Sequence, residues 1–283
     1  MRKLADFCGV KIMGYCVMNN HYHQFIKVPS KIKIGDDKLM QKIINHYGEG
    51  SRQHNQLRDA FKIGGEQKVK IRRRFLQMMG DISIFQKLLK QRFTIWYNAE
   101  HNRRGTLWME RFKSVLVENS KKALQYISAY IDLNPVRANL VRDPKDYPFC
   151  SYSSALLGNQ YYKAALKEIM GVYNWTACLS SYRSMLIIRG NRFVRGKSGK
   201  IDRDLLLETL HKQGHLSKAE LFQLHVRYLT DGIVLGSEKF VENTYQRFQK
   251  HFGKKRESGA NPIPGSSLEG LYVINKLRNA PIH

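Results

Sequence analysis

The stretch Val10-Lys11-Ile12-Met13-Gly14-Tyr15-Cys16-Val17-Met18-Asn19-Asn20-His21-Tyr22-His23-Gln24-Phe25-Ile26-Lys27-Val28 decides how this chain begins to fold. Its first half is rich in strand formers, and Asn19-Asn20 supplies turn chemistry because asparagine tolerates left-handed dihedrals. The second half alternates, and Pro29-Ser30 ends it. This is the pattern of a β-hairpin. Side chains alternate along a strand, so His21, His23 and Phe25 face one way, and Tyr22, Gln24, Ile26 and Val28 the other.

Two imidazoles on one face suggest a metal site, since imidazole is the commonest protein metal ligand and two of them leave positions open for substrate oxygens. The motif alone is weak. Ten histidines placed at random in a chain of this length give an HxH roughly one time in three, which is the usual false-positive risk of short motifs. The plain alternative is a half-buried strand with two solvent-facing histidines.

Farther along, Ser120 is a candidate N-cap for a helix starting near Lys121, with Leu124, Ile127 and Ile131 as its buried stripe. Asn134-Pro135 ends or kinks this helix, because the residue before proline avoids helical geometry. Tyr130 and Asn134 lie four apart, roughly 40° apart in projection, and so share a face. The asparagine carbonyl is a candidate metal ligand and the phenol a candidate nucleophile. The plain alternative is a core tyrosine and an asparagine that caps the helix. Tyr126 is a rival nucleophile, one turn earlier.

Between these two segments, residues 36–80 read as helical and polar, with a basic cluster Lys68-Val69-Lys70-Ile71-Arg72-Arg73-Arg74 that suits a solvated face or a phosphate-facing ridge. A further helix is expected over about 81–99, with Ile84, Phe85, Leu88, Leu89, Phe93, Trp96 and Tyr97 at core spacing. His101-Asn102-Arg103-Arg104-Gly105 reads as a basic turn and Phe112-Lys113-Ser114-Val115-Leu116-Val117 as a strand. Beyond residue 188 the reading is coarser. Residues 189–200 look like a linker, and helices are expected near 202–213, 217–229 and 237–252. A tight connection Thr230-Asp231-Gly232-Ile233-Val234-Leu235-Gly236 separates the last two. Helix, turn and helix in a basic context suits a DNA-binding module or an ordinary helical hairpin.

The bulk numbers narrow the partners. The chain has 283 residues, 48 Lys+Arg against 23 Asp+Glu and a formal net charge of +25. Residues 1–180 carry 30 basic and 14 acidic groups, and residues 181–283 carry 18 and 9, so the positive field is spread along the chain. Such a field favours polyanions. No apolar run approaches the roughly 20 residues needed to span a bilayer, so no membrane anchor is expected. The four cysteines are scattered without a CxxC pair, which points to reduced thiols and a cytoplasmic location. Phosphate-loop, GxSxG, HExxH and paired-cysteine zinc motifs do not occur in the sequence.

Met18-Asn19-Asn20-His21-Tyr22-His23 resembles the M-x-N-H-x-H element of REP-associated tyrosine transposases, within the single-tyrosine HUH superfamily. Phe93 through Asn98 and Arg103 through Ser114 resemble that family's central stretch, and Tyr130-Ile131-Asp132-Leu133-Asn134-Pro135-Val136-Arg137-Ala138 resembles its tyrosine helix. Order and spacing agree over roughly residues 4–155. The resemblance implies an α+β fold, a ferredoxin-like antiparallel sheet with helices, N-terminally truncated because the chain starts near the end of the family's first helix. It implies a catalytic domain over 1–157 with a helical insertion at about 36–80, a connecting region over 158–200 and a helical, basic C-terminal region over 201–283. His21, His23 and Asn134 would hold Mg²⁺ or Mn²⁺. Tyr130 would attack single-stranded or hairpin DNA and form a 5′-phosphotyrosine link. Arg103, Arg104, Trp108, Arg111 and Lys113 would contact the DNA. A homodimer and a truncated domain that binds structured DNA without cutting it are both compatible with this resemblance.

Overall fold

The computed structural model describes residues 1–30, 33–191, 232–252, 258–263 and 270–275. The α+β class holds: helices predominate and the strands form two small sheets. The chain divides into two compact units, one of residues 1–12 and 26–112, the other of 13–25 and 113–283.

The first unit is helical. Helix α1 (Arg2–Cys8) packs on α2 (Asp36–Tyr47) and α5 (Ile82–Glu100), and α2 and α4 (Gly65–Leu76) each pack on α3 (Arg52–Ile63). Helix α1 stops at Gly9, whose φ of 65° is the left-handed conformation that glycine adopts without steric cost. Leu4, Phe7, Leu39, Ile43, Leu57, Phe75 and Phe85 are buried here. The basic cluster on α4 is partly spent within the unit: Lys68 and Arg72 pair with Asp36 at 2.7 and 2.9 Å, and Arg74 donates to Gln56. Three of the five cations of the cluster thus have partners within the unit. Helix α5 departs from its expected burial. Phe85 is fully buried, but Phe93, Ile95 and Trp96 are 42, 63 and 54% exposed.

The hairpin is formed by strands β1 (Lys11–Val17) and β2 (Tyr22–Lys27), and Met18 N–H donates to the His21 carbonyl at 2.8 Å to close the turn. Met13, Cys16, Met18 and Phe25 join the core of the second unit. That core is built on α6 (Lys121–Asp132), α7 (Asn134–Arg137), α8 (Ser151–Leu156), α9 (Gln160–Met170) and α10 (Trp175–Asn191).

The strands do not make one antiparallel sheet among the described residues. Strand β3 shortens to Leu116–Val117 and pairs parallel with β4 (Gly232–Gly236), which pairs antiparallel with β6 (Tyr272–Asn275), which pairs with β5 (Asn261–Pro262). The segment read as a tight connection between helices is thus a strand from Gly232 onward, and only the last expected helix is seen, as α11 (Glu238–Arg247). The helices expected near 202–213 and 217–229 lie outside the described residues. The expected linker at 189–200 begins inside α10 as far as Asn191, and the rest also lies outside.

Leu235, Leu271 and Val273 belong to the same core as the tyrosine helix, so this C-terminal sheet is packed into the second unit. Its junction is specific. Glu118 accepts hydrogen bonds from the Ser237 N–H and hydroxyl at 2.8 and 2.9 Å. Gly236 is required there, because a Cβ would sit 2.6 Å from Phe240 and 2.7 Å from Glu118. All four cysteines are free and buried. No helix among the described residues is long and apolar enough to cross a membrane.

Candidate active site

His21, His23 and Tyr130 come together in the second unit. His21 packs edge to face on His23 with ring centroids 5.0 Å apart, and His23 packs edge to face on Tyr130 at 5.6 Å. The strand alternation and the helix spacing read from sequence thus meet in one chain of three rings. His21 sits just before β2, and its Nδ1 lies 2.6 Å from the Asn20 side-chain oxygen, which orients the ring.

Burial tunes the site. Desolvation, followed by the charges of His21 and Arg137, lowers the His23 pKa to about 4. His23 is therefore neutral at physiological pH, with a nitrogen lone pair available for coordination. Tyr130 is 5% exposed, and burial pushes its phenol above the usual range, while Arg137 acts in the opposite direction. The Arg137 guanidinium lies over the Tyr130 ring, 5.1 Å from its centroid. Its positive charge favours the phenolate and would attract a phosphate.

Asn134 does what its place before proline demands. Pro135 has no N–H to offer the Ile131 carbonyl one turn back. The Asn134 amide nitrogen donates instead to the Tyr130 carbonyl at 2.9 Å and to the Ile131 carbonyl at 3.4 Å. Both partners are acceptors, so only the NH₂ group can fill this role, which fixes the orientation of the amide. Oδ1 is left as the atom able to ligate. The capping and ligand readings of Asn134 are thus compatible, one for each end of the amide.

Behind this face, Asp132 is buried and accepts a hydrogen bond from the Tyr182 hydroxyl. Desolvation raises its pKa to about 7. Asp143, fully buried, is held by Arg183 through two hydrogen bonds. These two contacts tie α10 to the tyrosine helix and to the loop after it. Arg137, Asp132 and Tyr182 were not singled out from sequence. For Arg137 helix spacing gives no signal, since the break at Asn134-Pro135 lies between it and Tyr130.

A divalent ion suits the donor set in part. The amide oxygen suits Mg²⁺ or Mn²⁺, whereas the two imidazoles, one held neutral, suit softer ions such as Zn²⁺ better, and three His, Cys, Asp or Glu side chains do not converge anywhere among the described residues. Of the expected DNA contacts, Arg103, Arg104 and Arg111 are exposed and Trp108 half-buried in the first unit, and Lys113 is exposed at the start of the second. A scan against models of protein families found no match to this chain, and searches of curated proteins and of solved structures found none either.

Proposed function

We propose that this protein is a DNA strand transferase of the tyrosine HUH type, acting on single-stranded or hairpin DNA from the REP-associated transposase family that its motifs resemble. The observation that carries the reading is the contact chain from His21 through His23 to Tyr130, because it sets two imidazoles against one phenol. The net charge of +25 agrees with a polyanionic substrate.

In this reading Tyr130 Oη forms a bond to the scissile phosphorus as the bond to the 3′-oxygen breaks. The products are a 5′-phosphotyrosine and a 3′-hydroxyl that carries away the proton. The covalent link preserves the phosphodiester energy for rejoining. Arg137 steers the phosphate and favours the phenolate, and His23 orients the phenol through its ring contact. His21, His23 and Asn134 Oδ1 would hold Mg²⁺ or Mn²⁺, which supplies Lewis-acid polarisation of the phosphate when bound. The reading places the protein in the cytoplasm with its DNA, and allows a homodimer.

The test is covalent capture of a labelled single-stranded hairpin oligonucleotide in Mn²⁺, read on a denaturing gel. An adduct is expected with the native chain and none with Tyr130→Phe; an adduct that survives this substitution sinks the assignment. Salt-sensitive DNA binding without any adduct would support the alternative, a domain that binds structured DNA but does not cut it.

A further inference from the structure

Helix α5 turns aromatic rings outward. Phe93, Trp96 and Tyr97 stand at i, i+3 and i+4, hence on one face. Phe93 is the hub, with ring centroids 5.6 Å from Trp96, 5.8 Å from Tyr97 and 5.7 Å from Trp108. Trp108 is held in place from the loop after the helix: its indole N–H donates to Thr94 Oγ1 at 2.9 Å and to the Lys90 carbonyl at 3.2 Å. Tyr97 lies against His101 with ring centroids 4.1 Å apart and planes tilted by 35°. Phe93 and Trp96 nevertheless stay 42 and 54% exposed.

Cations frame these rings. Lys90 Nζ lies 5.0 Å from the Trp108 centroid, and the Arg103 guanidinium lies 5.9 Å from that of Tyr97. Between Lys87 and Arg111 there are six Lys or Arg against two Glu. Protein-binding surfaces enrich aromatics but deplete lysine. Exposed rings set among both lysines and arginines are the composition of a groove for single-stranded nucleic acid, in which bases stack on rings and cations follow the backbone.

We propose that the outward face of α5, centred on Phe93 and Trp96 and completed by Trp108, is a stacking platform for unpaired bases of single-stranded DNA. The proposal rests on the DNA reading above, and assigns a substrate-positioning role to two residues whose helical spacing alone would place them in a core. Base stacking is sequence-tolerant, because every base has a π-face, so the platform takes strand rather than sequence.

The experiment is fluorescence anisotropy of a labelled oligothymidine of about 12 nucleotides, within the usual range of single-strand site sizes, with the full chain and with Phe93→Ala/Trp96→Ala. At least tenfold weaker binding is expected from losing two stacking rings, with recovery in Trp96→Tyr relative to Trp96→Ala, and little change for a duplex of equal length. Circular dichroism checks that the variants remain folded. Equal affinity of native and doubly substituted chains for the single strand overturns the platform. So does tighter binding of the equivalent RNA, or a substitution whose only effect is to abolish self-association in sedimentation. Adduct formation is scored separately. An adduct with unchanged binding in Phe93→Ala/Trp96→Ala removes the platform and keeps the transferase reading, whereas ring-dependent binding without any adduct does the reverse.

Discussion

Helices α5 and α6 read alike in sequence, each with aromatic residues at helical spacing, yet they are used in opposite ways. In α6 every residue from Tyr126 to Asp132 is buried, polar ones included. In α5 the second half leaves a phenylalanine and a tryptophan in solvent. The difference lies in what surrounds them. The hairpin, α9, α10 and the C-terminal strands contribute to one core with α6, whereas Phe93 and Trp96 meet mainly other rings of their own face. Spacing tells which residues share a face; whether that face is core depends on what covers it.

The comparison is broken most severely by removing Arg183. Arg183→Ala leaves buried Asp143 to the Lys145 N–H at 2.9 Å and the Lys145 ammonium at 3.7 Å, so a loss of up to about 3–5 kcal/mol is expected, read from urea denaturation. If the loss is under about 1 kcal/mol, the enclosure of the second unit is not held by that pair. Asn134→Ala tests the kink after α6. The buried Tyr130 carbonyl loses its side-chain donor while the Ile131 carbonyl keeps a backbone N–H at the helix cap, and destabilisation of about 1–3 kcal/mol is expected, whatever happens to the chemistry.

Solution pH should act differently on the two units. Asp132 has its pKa raised to about 7 by burial. The folded chain then holds a proton that the unfolded chain has released, so Asp132 takes stability from the second unit as pH rises from about 4 to 7, while His23 in the same unit, lowered to about 4, acts with the opposite sign between about 4 and 6.5. His46 in α2 stacks on Phe7 with ring centroids 4.2 Å apart, and burial lowers its pKa to about 4. Here the unfolded chain binds the extra proton, so the first unit loses stability as pH falls from about 6.5 to 4. Hydrogen exchange in α2 should show protection lost as pH falls from about 6.5 to 4, an effect removed by His46→Gln, whereas α6 should show a weak slope that takes the sign of α2 in Asp132→Asn, where His23 is unopposed. An α6 slope unchanged by Asp132→Asn would refute the assignment. The smallest effect is expected at Trp96→Ala, within about 0.5 kcal/mol, as at other exposed positions. A larger loss would mean that the ring is structural, contrary to its exposure.

Much of the candidate site was legible because its logic is local. Strand alternation placed His21 and His23 together, and helix spacing placed Tyr130 with Asn134. The Asn-Pro step announced a break that the Asn134 side chain does repair. What escaped the reading is non-local. The run Gly232-Ile233-Val234-Leu235-Gly236 is short and bounded by glycines, so it read as a connection. It becomes a strand only because β3 and β6 supply partners from Leu116–Val117 and Tyr272–Asn275, two distant parts of the chain.

The sequence by itself determined the hairpin, the helix that carries Tyr130, the shared faces and the positive field, because dihedral preference, side-chain period and charge are properties of neighbouring residues. Only the tertiary structure decided that His23 would touch Tyr130, that Arg137 would lie over the phenol, and that the C-terminal strands would join the same core. It also decided that Phe93 and Trp96 would remain outside. Burial is settled by which distant segments meet, and with it go the pKa of His23 and the exposure of the α5 rings.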